Sequence, residues 1–183
     1  VPELFRHSTF IICALLMLCA GASEIAMAQW ASTFAEKSLG VSKFTGDLLG
    51  PCLFAVLMGS GRVLYGSFGD RLNLRRVLSF SAGLCIVSYL ATTLVPIPIV
   101  SLIGCGLCGL SASTMWPGIF SLSAKVFPRG GTAMFAMLAM FGDFGCSLGP
   151  WLTGILSDAA KADPSFTMDP LKFGLMFCIV FPM

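Results

Sequence analysis

The sequence predicts an all-α membrane protein of six spans, the last of them cut short. Hydrophobic residues make up 56% of the 183 positions and charged residues only 11%, against about a quarter charged in soluble domains. Mean hydropathy is +0.90. A soluble domain of this size cannot hide so much apolar surface, so lipid must be the solvent for most of the chain. Long apolar runs also alternate with short polar stretches that hold most of the charge, the pattern of membrane helices joined by loops.

The same composition narrows the partners and chemistry. A net charge of +2 is too small to point to nucleic acid. The eight Cys are scattered through apolar runs and read as small packing residues, not a disulfide framework. Cys105-Gly-Leu-Cys108 is a C-x-x-C, but it lies inside a span and lacks a second ligand pair. No metal or cofactor is expected. The chain opens on Val1 and stops within an apolar run at Pro182-Met183, which reads as a piece of a longer protein.

In order, Val1 to His7 is a polar lead-in, and Thr9 to about Phe34 is the first span. Ala20, Gly21, Ala22 and Ser23 give it a small-residue face, and Glu24 and Gln29 interrupt its apolar character. Ala35 to Gly46 is expected to be a loop. The second span runs from Asp47 to about Tyr65, with Gly50-Pro51 near its outer end and Arg62 placed to snorkel to the interface. Val77 to Leu94 is the third span, and Val95-Pro96-Ile97-Pro98 is a turn, because two prolines cannot continue a helix. Ile99 to about Leu122 is the fourth span. Pro117 must free a carbonyl and bend it. Thr132 to Leu156 is the fifth, carrying Asp143, a Gly145-x-x-x-Gly149 packing surface and a second expected kink at Pro150. Ser157 to Asp169 reads as a solvated loop, and Pro170 to Met183 as a truncated sixth span.

Basic residues set the orientation. Arg6, Arg62, Arg71, Arg75, Arg76, Lys125 and Arg129 fall on one side, Lys37, Lys43, Lys161 and Lys172 on the other, dividing the 11 Lys and Arg into seven and four. The side with seven is expected to be cytoplasmic, which puts the N-terminus inside.

The densest charge lies in Gly66-Ser-Phe-Gly69-Asp70-Arg71-Leu-Asn73-Leu74-Arg75-Arg76-Val-Leu78, read as the loop between the second and third spans. Gly66 and Gly69 remove side chains where helix ends could come close. Asn73 suits a left-handed turn, and Asp70 can face the positive end of a helix. Arg71, Arg75 and Arg76 can pair with carboxylates or anionic lipid heads. Such a cluster can hold the cytoplasmic side of a bundle shut, whereas a plain basic loop would need none of the Gly spacing or the Asp-Arg pair.

This stretch resembles the signature loop of the major facilitator superfamily, roughly G-x-x-A-D-R-x-G-R-K-x-x-L, with Gly66, Gly69, Asp70, Arg71, Arg75 and Leu78 fitting and Asn73 and Leu74 departing. The resemblance implies one six-span half of a transporter whose other half is missing here, with a central cavity between the two. Gly21 to Trp30, Met115 to Gly118 and Phe127 to Ala133 are similar to the C-terminal half of fucose-permease-like members. The imperfect loop and the uncharged fourth span favour the second half. Against this, Gly145-x-x-x-Gly149-Pro150 resembles a motif of antiporter first halves.

Glu24 and Asp143 are the sharpest candidates, since a carboxylate within a bilayer is costly and marks function by default. No Lys or Arg is expected at their depth. Each should then be protonated, hydrated, or paired with the missing half. Helix rise puts both at a similar depth, slightly beyond the midplane, where they could share a cavity and couple transport to protons or cations. Gln29, Trp30 and Trp116 could bind a sugar or amino acid through amide and ring face. The sequence thus points to a secondary transporter in the plasma (inner) membrane. The competing reading is a scaffold or receptor whose helices only pack. No H-E-x-x-H, G-x-S-x-G or nucleotide loop suggests an enzyme.

Overall fold

In the computed structural model of the chain residues 4–183 are described, Asp70 by its backbone alone. Val1, expected on the cytoplasmic side, lies outside the described residues. Among those residues every regular element is helical: α1 (Ser8–Lys37), α2 (Lys43–Asp47), α3 (Leu53–Phe68), α4 (Leu74–Leu94), α5 (Pro98–Ala112), α6 (Met115–Val126), α7 (Gly131–Ala162) and α8 (Pro170–Phe177). A π-helical turn, Leu48–Cys52, joins α2 to α3 and contains Pro51. Five helical stretches are long and apolar enough to cross a membrane: Ser8–Lys37, Lys43–Phe68, Leu74–Leu94, Pro98–Val126 and Gly131–Ala162; Pro170–Val180 is shorter. The chain is an all-α, multi-pass membrane protein.

The helices outrun the expected spans. α1 continues past Phe34 to Lys37 because Ala35 still packs in the core. The helix after it starts at Lys43, where the Ser42 hydroxyl accepts the Thr45 N–H. Gly66 and Ser67, expected in a loop, form the last turn of α3, since nothing before Gly69-Asp70-Arg71 breaks the helix. Ser157 to Ala162 extends α7, with Lys161 and Asp158 paired at 3.1 Å one turn apart. The fourth span is two helices, not one. α5 ends at Ala112, α6 begins at Met115, and Pro117 sits in the first turn of α6, where a missing N–H is tolerated.

Small residues decide the packing. α1 runs through the centre, alongside α7 and against α5, α6 and α8. A Cβ on Gly145 would overlap the Leu18 carbonyl, one on Gly149 the Ala22 carbonyl, and one on Gly21 the Gly142 carbonyl. The order of these contacts shows that α1 and α7 run parallel. A Cβ on Gly109 would likewise overlap the Phe54 carbonyl, closing α5 onto α3. With no hydrophobic drive between helices in lipid, such close backbone approach is the source of cohesion. Tyr89 of α4, fully buried, donates to the Ser23 carbonyl at 2.7 Å and ties α4 to the central helix. Gly131 opens α7 at φ +61, a conformation suited to glycine.

Candidate functional site

Glu24 projects from the middle of α1 with its side chain 9% exposed. One carboxylate oxygen lies 3.5 Å from the guanidinium of Arg62 on α3; the other is buried without a partner. The premise that no basic residue reaches this depth is therefore wrong. Gly50 packs against Ala31, which sets the two antiparallel helices in register and places position 57 level with Glu24. Arg62 must then extend about 7 Å toward the midplane along its helix, within the reach of an arginine. Its guanidinium turns toward Glu24 and not outward to the interface, while remaining about half exposed. Arg62 lies in the second span, as expected, but is not among the candidate site residues read from the sequence, and the structure places it beside the Glu24 carboxylate. The signal was present: it is a charge inside a span that also needs a partner for Glu24.

Arg62 opens into a cleft of about 510 Å³ lined by Tyr65, Gly66, Trp116, Pro117 and Phe120. The Trp116 ring lies over Gly142 of α7 and edge-on to Phe120, and its indole N–H is buried without a partner. Asp143 follows Gly142 and is exposed on the surface of this bundle. Since Gly142 stands against Gly21, Asp143 is level with position 22 and lies roughly 3 Å in depth from Glu24. Glu24, Arg62, Trp116 and Asp143 thus sit on four elements near one level. The break at Ser113–Thr114 is what presents Trp116 there, and Thr114 is pinned by a hydrogen bond with Ser81 at 2.5 Å.

Other candidates stand apart. Trp30 donates its indole N–H to the Pro150 carbonyl at 3.1 Å, and its ring edge covers Gly154, so its polar end ties α1 to α7. Gln29 is exposed. In the basic stretch, a Cβ on Gly66 would meet open space and one on Gly69 only the Tyr65 ring of the preceding turn, so among the described residues no second helix packs against either glycine. Asn73 is not in a left-handed turn. Its φ is −73°, and it caps α4 by accepting the Arg76 N–H at 3.3 Å. Arg71, Arg75 and Arg76 are exposed, the last two already in α4. The side chain of Asp70, expected to face a helix terminus, lies outside the described residues.

Asp163, Asp169 and Asp47 each have a local role. Asp163 accepts from the Ser165 hydroxyl and N–H, which hold its carboxyl below the usual carboxylate range. Asp169 caps α8 and accepts from Ser38 at 2.8 Å. Asp47 accepts from Ser32. Among the described residues no cluster of three His, Cys, Asp or Glu could hold a metal.

The bundle thus combines membrane-spanning helices, a buried ion pair and an adjoining cleft. The sequence model of the Major Facilitator Superfamily matches residues 9–181, and the chain belongs to that superfamily, whose members are transporters rather than enzymes. No curated protein and no solved structure matches the chain significantly.

Proposed function

We propose that this chain is the second six-span half of a fucose-permease-like secondary transporter. The whole protein moves a small polar solute, such as a sugar, across the plasma (inner) membrane by alternating access, as a proton- or cation-coupled symport. The observation that carries this reading is the Glu24–Arg62 pair beside the Trp116 cleft. A purely packing helix bundle has no use for an ion pair at this depth, because desolvation offsets its attraction. A transporter does, because a carboxylate held by one movable cation can exchange that partner for a proton, a cation or a solute hydroxyl. The unpartnered Glu24 oxygen and the unpartnered Trp116 N–H supply one acceptor and one donor. Solute hydroxyls can pair with each, and the Trp116 and Phe120 rings offer apolar faces to a sugar ring.

Glu24 is the first choice for coupling. Asp143, exposed on this half, would face the other half across the cavity. The test is uptake of radiolabelled neutral hexoses, L-fucose included, by the full-length protein in vesicles carrying a proton or sodium gradient. Glu24→Gln should lose accumulation against a gradient while keeping downhill exchange. Unchanged accumulation in both Glu24→Gln and Asp143→Asn would show that the carboxylates are structural.

A further inference from the structure

The transport reading leaves one pair of reactive groups unused. Cys85 of α4 and Cys108 of α5 are both fully buried, and their sulfurs are 3.9 Å apart. The two helices form an antiparallel hairpin pressed close together: a Cβ on Gly104 would come within 3.0 Å of the Ser88 carbonyl. Because both side chains are fully buried, only a small uncharged oxidant can reach them, through transient opening of the bundle.

We propose that Cys85 and Cys108 are a peroxide-oxidisable dithiol whose disulfide staples α4 to α5. The Cys85 sulfur attacks a peroxide oxygen; the S–H and O–O bonds break, and the leaving hydroxide takes up the thiol's proton and departs as water. A sulfenic acid remains on Cys85. The Cys108 sulfur then attacks the Cys85 sulfur, the S–O bond breaks, and the second hydroxide leaves as water with the Cys108 proton. The peroxide gains two electrons and the sulfur pair loses two. The sulfurs need to close from 3.9 Å to about 2.05 Å, a change that side-chain rotation can supply across so tight a hairpin. Cys108 lies one turn before α5 ends at Ala112. The staple therefore holds the stem of the break that presents Trp116, and oxidation stiffens the joint of the fourth span.

The experiment uses the full-length protein in proteoliposomes exposed to hydrogen peroxide, then alkylation, digestion and mass spectrometry. The expected product is a peptide pair joined through Cys85 and Cys108, lighter than its separated members by two hydrogens and released by dithiothreitol. In the same samples, amide hydrogen exchange over residues 109–118 should slow several-fold on oxidation and recover on reduction. Cys85→Ala and Cys108→Ala should each lose both responses, while Cys13→Ala keeps them. If either variant fails to fold, Cys85→Ser replaces it, and the wild-type spectrum decides the link alone. Full alkylation of both cysteines after peroxide overturns the proposal. So does a linked protein whose exchange over 109–118 is unchanged.

Discussion

The two members of the Glu24–Arg62 pair are not equivalent, because the side chain of Glu24 is 9% exposed and that of Arg62 48%. Removing the guanidinium leaves a buried carboxylate with neither oxygen partnered, whereas removing the carboxylate leaves a cation that can still turn toward the cleft and water. Arg62→Gln should therefore destabilise the full-length protein more than Glu24→Gln does, and the double variant should recover part of the loss suffered by Arg62→Gln alone. The coupling energy is expected to be about 1 kcal/mol, discounted for the half-exposed arginine. Thermal unfolding of the detergent-solubilised protein measures all four forms. Equal losses for the two single variants would mean that the pair does not hold Glu24. At this scale the carboxylate was legible from its sequence position alone, and its partner was not. Position along a helix gives depth, but only the register between two helices, here set by Gly50 against Ala31, tells which side chains meet.

Among the helices, glycines that look alike in sequence divide into two kinds. Gly145 is pressed against the Leu18 backbone, while Gly83 and Gly59 have nothing within 4 Å. Gly145→Ala must force α1 and α7 apart and should cost roughly 1–3 kcal/mol, the range for overpacking a tight core. Gly83→Ala should be neutral or stabilising by up to about 1 kcal/mol through helix propensity. Apparent melting temperatures, supported by yields of folded protein, separate the two; a matching loss at Gly83 would break the argument. The G-x-x-x-G spacing made the Gly145–Gly149 surface readable in advance, and the apolar run lengths made the helices readable. Their ends were less so. Gly66 reads as loop because charge follows it, yet a helix persists until a specific stop; α3 ends at Phe68 with Gly69 as its C-cap, and Asn73 then opens α4 as its N-cap. Asn73→Ala should cost about 1 kcal/mol of helix stability, seen as faster amide exchange over residues 74–77.

Over the whole molecule, the bundle class follows from hydropathy and loop spacing, but its orientation rests on charge alone. Moving Arg62 into α3 reduces the cytoplasmic set to Arg6, Arg71, Arg75, Arg76, Lys125 and Arg129, six against Lys37, Lys43, Lys161 and Lys172. The remaining difference is carried by the stretch around α3 and α4, where Arg71, Arg75 and Arg76 lie within six residues of one another. Such a local cluster biases insertion more than scattered charges do, so the N-terminal end of α1, the Asp70 turn and the Arg129 loop should be cytoplasmic. Ser38 and Ser67 mark the two sides: Ser38 caps the far end of α1, and Ser67 is exposed in the last turn of α3. In a variant lacking the eight native cysteines, Ser38→Cys should react with an impermeant maleimide added to intact cells, and Ser67→Cys only after permeabilisation. Because Ser38 donates to Asp169, its labelling should also rise in Asp169→Asn, which weakens that contact without changing sidedness. The reverse pattern would invert the bundle. Glu24 would then stand nearer the cytoplasmic face than the outer one, and the gate assigned to the Asp70 turn would open outward.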